Sequence, residues 1–178
     1  MNITEAIQTR QSDRDYQSTP IEPEKIRQCI ESARLAPSAC NAQAWKFVVV
    51  DNLDTKNKIA DCAASMGMNK FLHQAPVIIA IVLEKPNATS RIGGWIQGKE
   101  YTLIDIGIAA EHICLQATEL GIGSCIIGWF DEKKVKKILQ VPKSKKVPLI
   151  ISLGYARGEH REKVRKPFDA VCSYNQYE

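Results

Sequence analysis

Residues 10–14 read Arg-Gln-Ser-Asp-Arg, and residues 163–167 read Lys-Val-Arg-Lys-Pro. In an extended chain alternate residues point the same way, so Arg10, Ser12 and Arg14 share one side and Lys163 and Arg165 share another. Pro167 argues against a helix continuing through the second stretch. Guanidinium forks match phosphate oxygens bidentately, and an ammonium adds a compact point charge. Each stretch alone also reads as a solvated basic segment, the arginines free or paired with Asp13 and Asp15. At opposite ends of one small chain, the two clusters together suit a single phosphate.

Two further stretches could bring backbone and polar side chains against a ligand. Pro37-Ser38-Ala39-Cys40-Asn41-Ala42-Gln43-Ala44-Trp45 is dense in amides and hydroxyls, and such a loop can hydrogen-bond the polar edge of a flat heterocycle. It also reads as an ordinary helix-to-strand connection. Cys40 has no histidine near it in sequence, which argues against a catalytic thiol. Gly121-Ile122-Gly123-Ser124-Cys125-Ile126-Ile127-Gly128 is not a dinucleotide fingerprint, because the third glycine is misplaced and the order is helix then strand. Its glycines instead mark a helix cap, a tight turn, and at Gly128 a close approach of the backbone to something flat.

The chain of 178 residues carries a formal net charge of +4 and is 44% hydrophobic. Those values fit one globular domain over residues 1–178 with a sizeable core. The modest positive charge does not point to nucleic acid or membrane, but suits a phosphorylated ligand. No apolar segment follows Met1 as a signal peptide would require. The most apolar long stretch, 103–120, is interrupted by Asp105, Glu111, His112 and Glu119, which argues against a membrane span. The 6 cysteines show no Cys-x-x-Cys spacing and read as reduced thiols of a cytoplasmic protein. His73, His112 and His160 do not pair at metal-ligand spacing, so no metal site is expected.

The elements that would position these groups follow from periodicity and punctuation. A first helix is expected from Asn2 to about Arg10, with Glu5 as capping-box partner. A second starts near Pro23, puts Ile26, Ile30 and Ala33 on one face, and stops before Pro37. Strands are expected over 47–50, 77–83, 124–130 and 149–155, the second a continuous apolar run covered on both faces. A third helix spans 55–66. Residues 86–99 read as a loop, punctuated by Gly93-Gly94 and Gly98 around Trp95. Residues 101–120 form a long helix, apolar nearly all round and hence buried, capped by Gly121. Asp131 caps a short helix through Leu139 whose lysines form a solvated face. The irregular alternation predicts a three-layer α+β domain.

Taken in order, these segments resemble the nitroreductase family of FMN enzymes. Arg-Gln-Ser-Asp-Arg at 10–14 is similar to the family's Arg-Arg-Ser-x-Arg, and residues 33–45 resemble its most recognisable stretch. Ala75-Pro76 before a strand, Gly121-x-Gly123, Ser152-Leu153-Gly154-Tyr155 and Lys163-x-Arg165-Lys166-Pro167 complete the series. The resemblance covers nearly the whole chain. It implies a central, mostly antiparallel sheet flanked by helices, with the C-terminal segment exchanged with the partner of a homodimer. It also implies FMN at the dimer interface. Arg10, Gln11, Ser12 and Arg14 with Lys163 and Arg165 would hold the phosphate and pyrimidine edge, Arg14 nearest N1 and O2. Asn69 would contact the ring, backbone amides near Ile127 and Gly128 would face N5, and Pro37, Ser38, Ala39 and Asn41 would come from the partner subunit. Gln11 departs from a common arginine, Ala44 from a common proline, and Ile127 from a common acidic residue; the last bears on substrate preference.

The activity so implied is ping-pong hydride transfer from NAD(P)H through flavin N5 to an acceptor such as a nitroaromatic or quinone, with no catalytic side chain. Two other readings stand beside it. One is the same fold doing another flavin reaction, such as reductive dehalogenation or dehydrogenation, separable only by the pocket around Trp95, Trp129 and Phe130. The other is a flavin-binding protein without turnover.

Overall fold

The computed structural model describes residues 1–64 and 67–177, with backbone only for Arg91, Gly93 and Trp95. Helix α1 (Ile3–Thr9) is opened by the expected capping box: Asn2 Oδ1 accepts from the Glu5 amide, and Glu5 Oε2 accepts from the Asn2 amide. Helix α2 (Pro23–Arg34) starts with proline at its first position, where no amide is needed. Strand β1 (Trp45–Val50) precedes α3 (Leu53–Ala63), capped by Asn52. Strand β2 (Val77–Leu83), α4 (Ala88–Gln97) and α5 (Tyr101–Glu119) follow. Strand β3 (Gly123–Ile127), α6 (Glu132–Ile138) capped by Asp131, and β4 (Lys146–Gly154) complete the core elements.

The four strands form one sheet in the order β1-β2-β4-β3, every neighbouring pair antiparallel. Successive β2 residues point to opposite faces. Val77, Ile79 and Ile81 pack with α2 and α5, around Ile26, Cys29, Ile106 and Ile113. Ile78, Ala80 and Val82 pack with α3 and α6, around Ile59, Ala63 and Val135. The domain is therefore the expected three-layer α+β arrangement, and the apolar run 77–83 is the strand covered on both faces. Buried isoleucines contribute about 1.5–3 kcal/mol each relative to exposure.

Besides β3, which stops at Ile127 instead of running to Phe130, three elements differ from expectation. Residues 88–97 are helical rather than a loop. The Asn87 carboxamide oxygen accepts the Ser90 amide, supplying a start, and Gly94 O accepts the Lys99 amide as the chain turns back. Strand β4 begins at Lys146, ahead of Pro148, because β2 shifts register between Ile81 and Leu83 and the irregularity accommodates a residue without an amide hydrogen. Helix α5 is not buried all round: Ile106, Ala110 and Ile113 are covered, while Leu103 and Ile104 face out. The expected end of the third helix at Met66 lies outside the described residues. Among the described residues, no helix is long and apolar enough to cross a membrane.

Candidate active site

The free edge of β3 organises the site. Ser12 forms a parallel bridge with Ser124, and the Asp13 amide donates to Ser124 O at 2.9 Å. Ser12 is thereby held against that edge, with Arg10, Gln11 and Arg14 around the same cavity. Gly123 makes the approach possible, since a Cβ there would come within 2.7 Å of the Asp13 carboxylate.

The C-terminal stretch returns to the same place. Tyr16 bridges Ala156, and beyond it the chain passes over residues 7–12. Arg161 donates through its backbone amide (3.1 Å) and Nε (3.4 Å) to Gln11 Oε1, and through Nη2 to Ser12 O at 2.6 Å. Gln11 Nε2 donates to Asp13 Oδ1 at 2.8 Å. Gln11 thus stitches the two basic stretches together. Lys163 Nζ donates to Ile7 O at 2.7 Å and Arg165 to Val164 O at 2.8 Å.

The result is a cavity of about 340 Å³ lined by Arg10, Gln11, Ser12, Arg14, Arg161, Glu162, Lys163, Val164 and Arg165. Among the described residues, Arg10 alone of its cations makes an ion pair, with Glu111 at 3.1 Å. Partial burial, and then the Arg10 and Arg165 cations, push the Lys163 ammonium below its ordinary value. Crowded cations short of counter-charge favour a bound anion. The Arg14 guanidinium lies beside Cys125 of β3. Burial pushes the Cys125 thiol up, and the neighbouring Arg14 guanidinium pulls it back down.

At the other end of β3 lie Ile127 and Gly128. Ile127 is buried, and the side of Gly128 that a Cβ would occupy is open space. Asn69, in the left-handed region at φ 53, donates to Trp129 O at 3.0 Å and so fastens its turn beside Gly128. Ser124 to Ile127 spans about 10 Å along the strand. Trp129 is exposed and Phe130 packs on the α3–α6 side. The side chain of Trp95, expected near them, lies outside the described residues.

Pro37, Ser38, Ala39 and Asn41 are not brought to this cavity within one chain. They lead into β1, the opposite edge of the sheet, where the Ala39–Asn41 turn packs on α4 and α5. Ala39 donates to Asp105 Oδ1 at 3.0 Å, and Ser38 Oγ accepts the Gln43 amide at 3.0 Å. Cys40, Asn41 and Gln43 all have positive φ, at 52, 50 and 46. Cys40 is exposed, and its carbonyl accepts from Asn87. Among the described residues no group of His, Cys, Asp or Glu could hold a metal.

The sequence reading missed Arg161. Its signal was present: 161, 163 and 165 continue one alternation.

The chain is similar to known proteins over most of its length. A family model described as "Nitroreductase family" matches residues 7–67 and 63–155. An oxygen-insensitive NADPH nitroreductase of Helicobacter acinonychis is 31% identical, over 81% of this chain and 82% of that protein. The crystal structure of a nitroreductase family protein from Clostridium novyi superposes with a TM-score of 0.79 at 33% identity, covering 88% of this chain and 86% of the other. A structure described as an FMN-dependent nitroreductase from Clostridium difficile gives a TM-score of 0.79 at 30% identity, covering 97% and 98%.

Proposed function

This chain belongs to the nitroreductase family, and from that premise we propose that it is an NAD(P)H-dependent oxidoreductase with FMN as its resident cofactor, working as a cytoplasmic homodimer. The observation that carries the cofactor assignment is the cation-lined cavity beside β3. Its donors outnumber its acceptors, as a phosphate monoester requires. A cavity sized for one phosphate, with no glycine fingerprint for a second, favours FMN over FAD.

When bound, FMN supplies the two-electron chemistry, accepting hydride at N5 from NAD(P)H and passing it to an acceptor such as a nitroaromatic or quinone. The chain's own residues hold and bias it. Arg10, Lys163 and Arg165 grip the phosphate, with Ser12 contributing its hydroxyl. Gln11 and Arg161 lock the two basic stretches around it. Arg14, beside Cys125 of β3, would meet the pyrimidine edge at N1 and O2. The open face of Gly128 and the backbone amides near it receive the N5 edge, beside Asn69.

Pro37, Ser38, Ala39 and Asn41 lie at the far sheet edge, so they serve the cofactor held by the partner subunit. The exposed apolar residues Leu103 and Ile104 on α5, with Phe168, Val171 and Tyr174 in the tail, supply an interface, the tail wrapping the partner. All 6 cysteines are free thiols, which suits a reducing compartment.

The test is spectroscopic. Anaerobic NADH or NADPH should bleach the flavin absorbance of the purified protein, and menadione or a nitroaromatic should restore it. A bound flavin that neither pyridine nucleotide reduces would contradict the enzyme reading.

A further inference from the structure

A larger cavity, of about 570 Å³, shares no lining residue with the cation cavity. It opens between the segment 16–21, the start of α2, the first turn of α3 and the turn leading into β2. Its volume is that of a small-molecule pocket. Its walls are largely apolar, with Tyr16, Ile21, Ile26 and Val77 all buried.

Lys56 stands in that wall, 3% exposed. Its ammonium donates to a neutral partner, His73 O, at 2.7 Å. No Asp or Glu among the described residues comes within salt-bridge distance of it. Lys56 also lies in the first turn of α3, the positive end of that helix. Burial pushes its ammonium below the ordinary lysine value. An ammonium held out of water against one carbonyl keeps two donors for something else. At the mouth, Arg157 is exposed and held only loosely by Asp15, at 3.9 Å.

We propose that this cavity binds an amphipathic carboxylate, with Lys56 taking the carboxylate and Tyr16, Ile21, Ile26 and Val77 enclosing its apolar body. Arg157 adds attraction at the entrance. The contrast with the β3 cavity sets the ligand class. Five cations line that cavity, as a dianionic phosphate requires, whereas here the buried Lys56 and the exposed Arg157 face one wall carboxylate, the exposed Asp51, which leaves one net positive charge among largely apolar walls and matches a single negative charge on an apolar chain. The site would make this chain responsive to a second small molecule without competition at the cofactor.

The test is calorimetric titration of sodium octanoate into the FMN-saturated protein. Octanoate should bind saturably, one per chain, and octanol, with the same tail and no charge, at least about tenfold more weakly. Lys56→Met keeps the packing of the stem and should weaken octanoate at least about tenfold, with flavin content unchanged. Arg157→Gln, at the exposed mouth, leaves the core untouched and should weaken it about two- to fivefold. No saturable binding to the wild type, equal affinity for octanoate and octanol, or wild-type affinity in both variants would overturn the proposal.

Discussion

Arg10, at the end of α1, reaches Glu111 in the middle of α5, with Nε 3.1 Å from Oε1. The pair ties the start of the basic stretch to the core helix. It uses one nitrogen of the guanidinium and leaves the other donors of the fork for a ligand. Glu111 is half exposed, so the pair contributes little stability of its own and chiefly orients Arg10.

Arg10→Ala and Arg165→Ala should therefore weaken FMN binding more than they reduce turnover at saturating FMN. A charge-assisted hydrogen bond is worth roughly 1.5–3 kcal/mol, so each change should cost about tenfold to a hundredfold in affinity. Fluorescence titration of FMN into apoprotein measures this. Unchanged affinity in both variants would put the phosphate elsewhere.

Arg14 should tune the flavin's potential as well as hold it. A fixed guanidinium at the pyrimidine edge stabilises the charge that develops there on reduction. A differential of about 1.4 kcal/mol corresponds to roughly 30 mV for a two-electron couple. Arg14→Ala should lower the midpoint potential by some tens of millivolts, and Arg10→Ala should leave it nearly unchanged. Dye-equilibrated anaerobic titration of both FMN-saturated variants checks this, and an unchanged or raised potential in Arg14→Ala would remove Arg14 from that edge.

Much of this site was legible because its chemistry is written in local alternation. Residues 10, 12 and 14 and residues 163 and 165 needed only local alternation to be read, and the structure lines one cavity with all five, the first stretch held at the β3 edge by the bridge of Ser12 to Ser124. What was not legible depended on tertiary context. Gly93 and Gly94 read as breakers, yet the chain helps start a helix with the Asn87 carboxamide and turns back at Lys99. The fourth strand is expected only from Leu149, yet β4 begins at Lys146, because a register shift against β2 makes room for Pro148. The apolar circumference of α5 read as burial, yet Leu103 and Ile104 stand exposed, because hydrophobicity alone does not say which face the same chain covers.

Deleting the chain after Pro167 should yield monomer or aggregate, with flavin lost. The tail removed carries Phe168, Val171, Tyr174 and Tyr177, all exposed on a single chain. Sedimentation and absorbance of the truncated protein read both effects. A truncated protein that stayed dimeric and yellow would refute the wrapping role.

The thiols divide by burial. Cys29 and Cys114 are buried, and burial pushes both up to about 12 from an ordinary 9.0. A raised folded-state value means that the stability they contribute is complete below pH 9.0 and is lost as pH climbs toward about 12. Alkaline unfolding should be milder in Cys114→Ala than in the wild type, relative to each protein's stability at neutral pH. Cys40, exposed at a strained turn, should be modified readily by iodoacetamide. Cys40→Ser should keep most turnover, since hydride transfer through a flavin needs no thiol; lost activity at normal flavin content would make Cys40 a participant.

The most direct test of the cofactor assignment is the identity and amount of flavin released by acid from the purified, FMN-reconstituted protein. The cavity shared by Arg10, Ser12, Lys163 and Arg165 predicts FMN, near one per chain, and a marked loss in an Arg10→Ala, Arg165→Ala double variant. FAD as the native flavin, no flavin after reconstitution, or full FMN content in the double variant would contradict it.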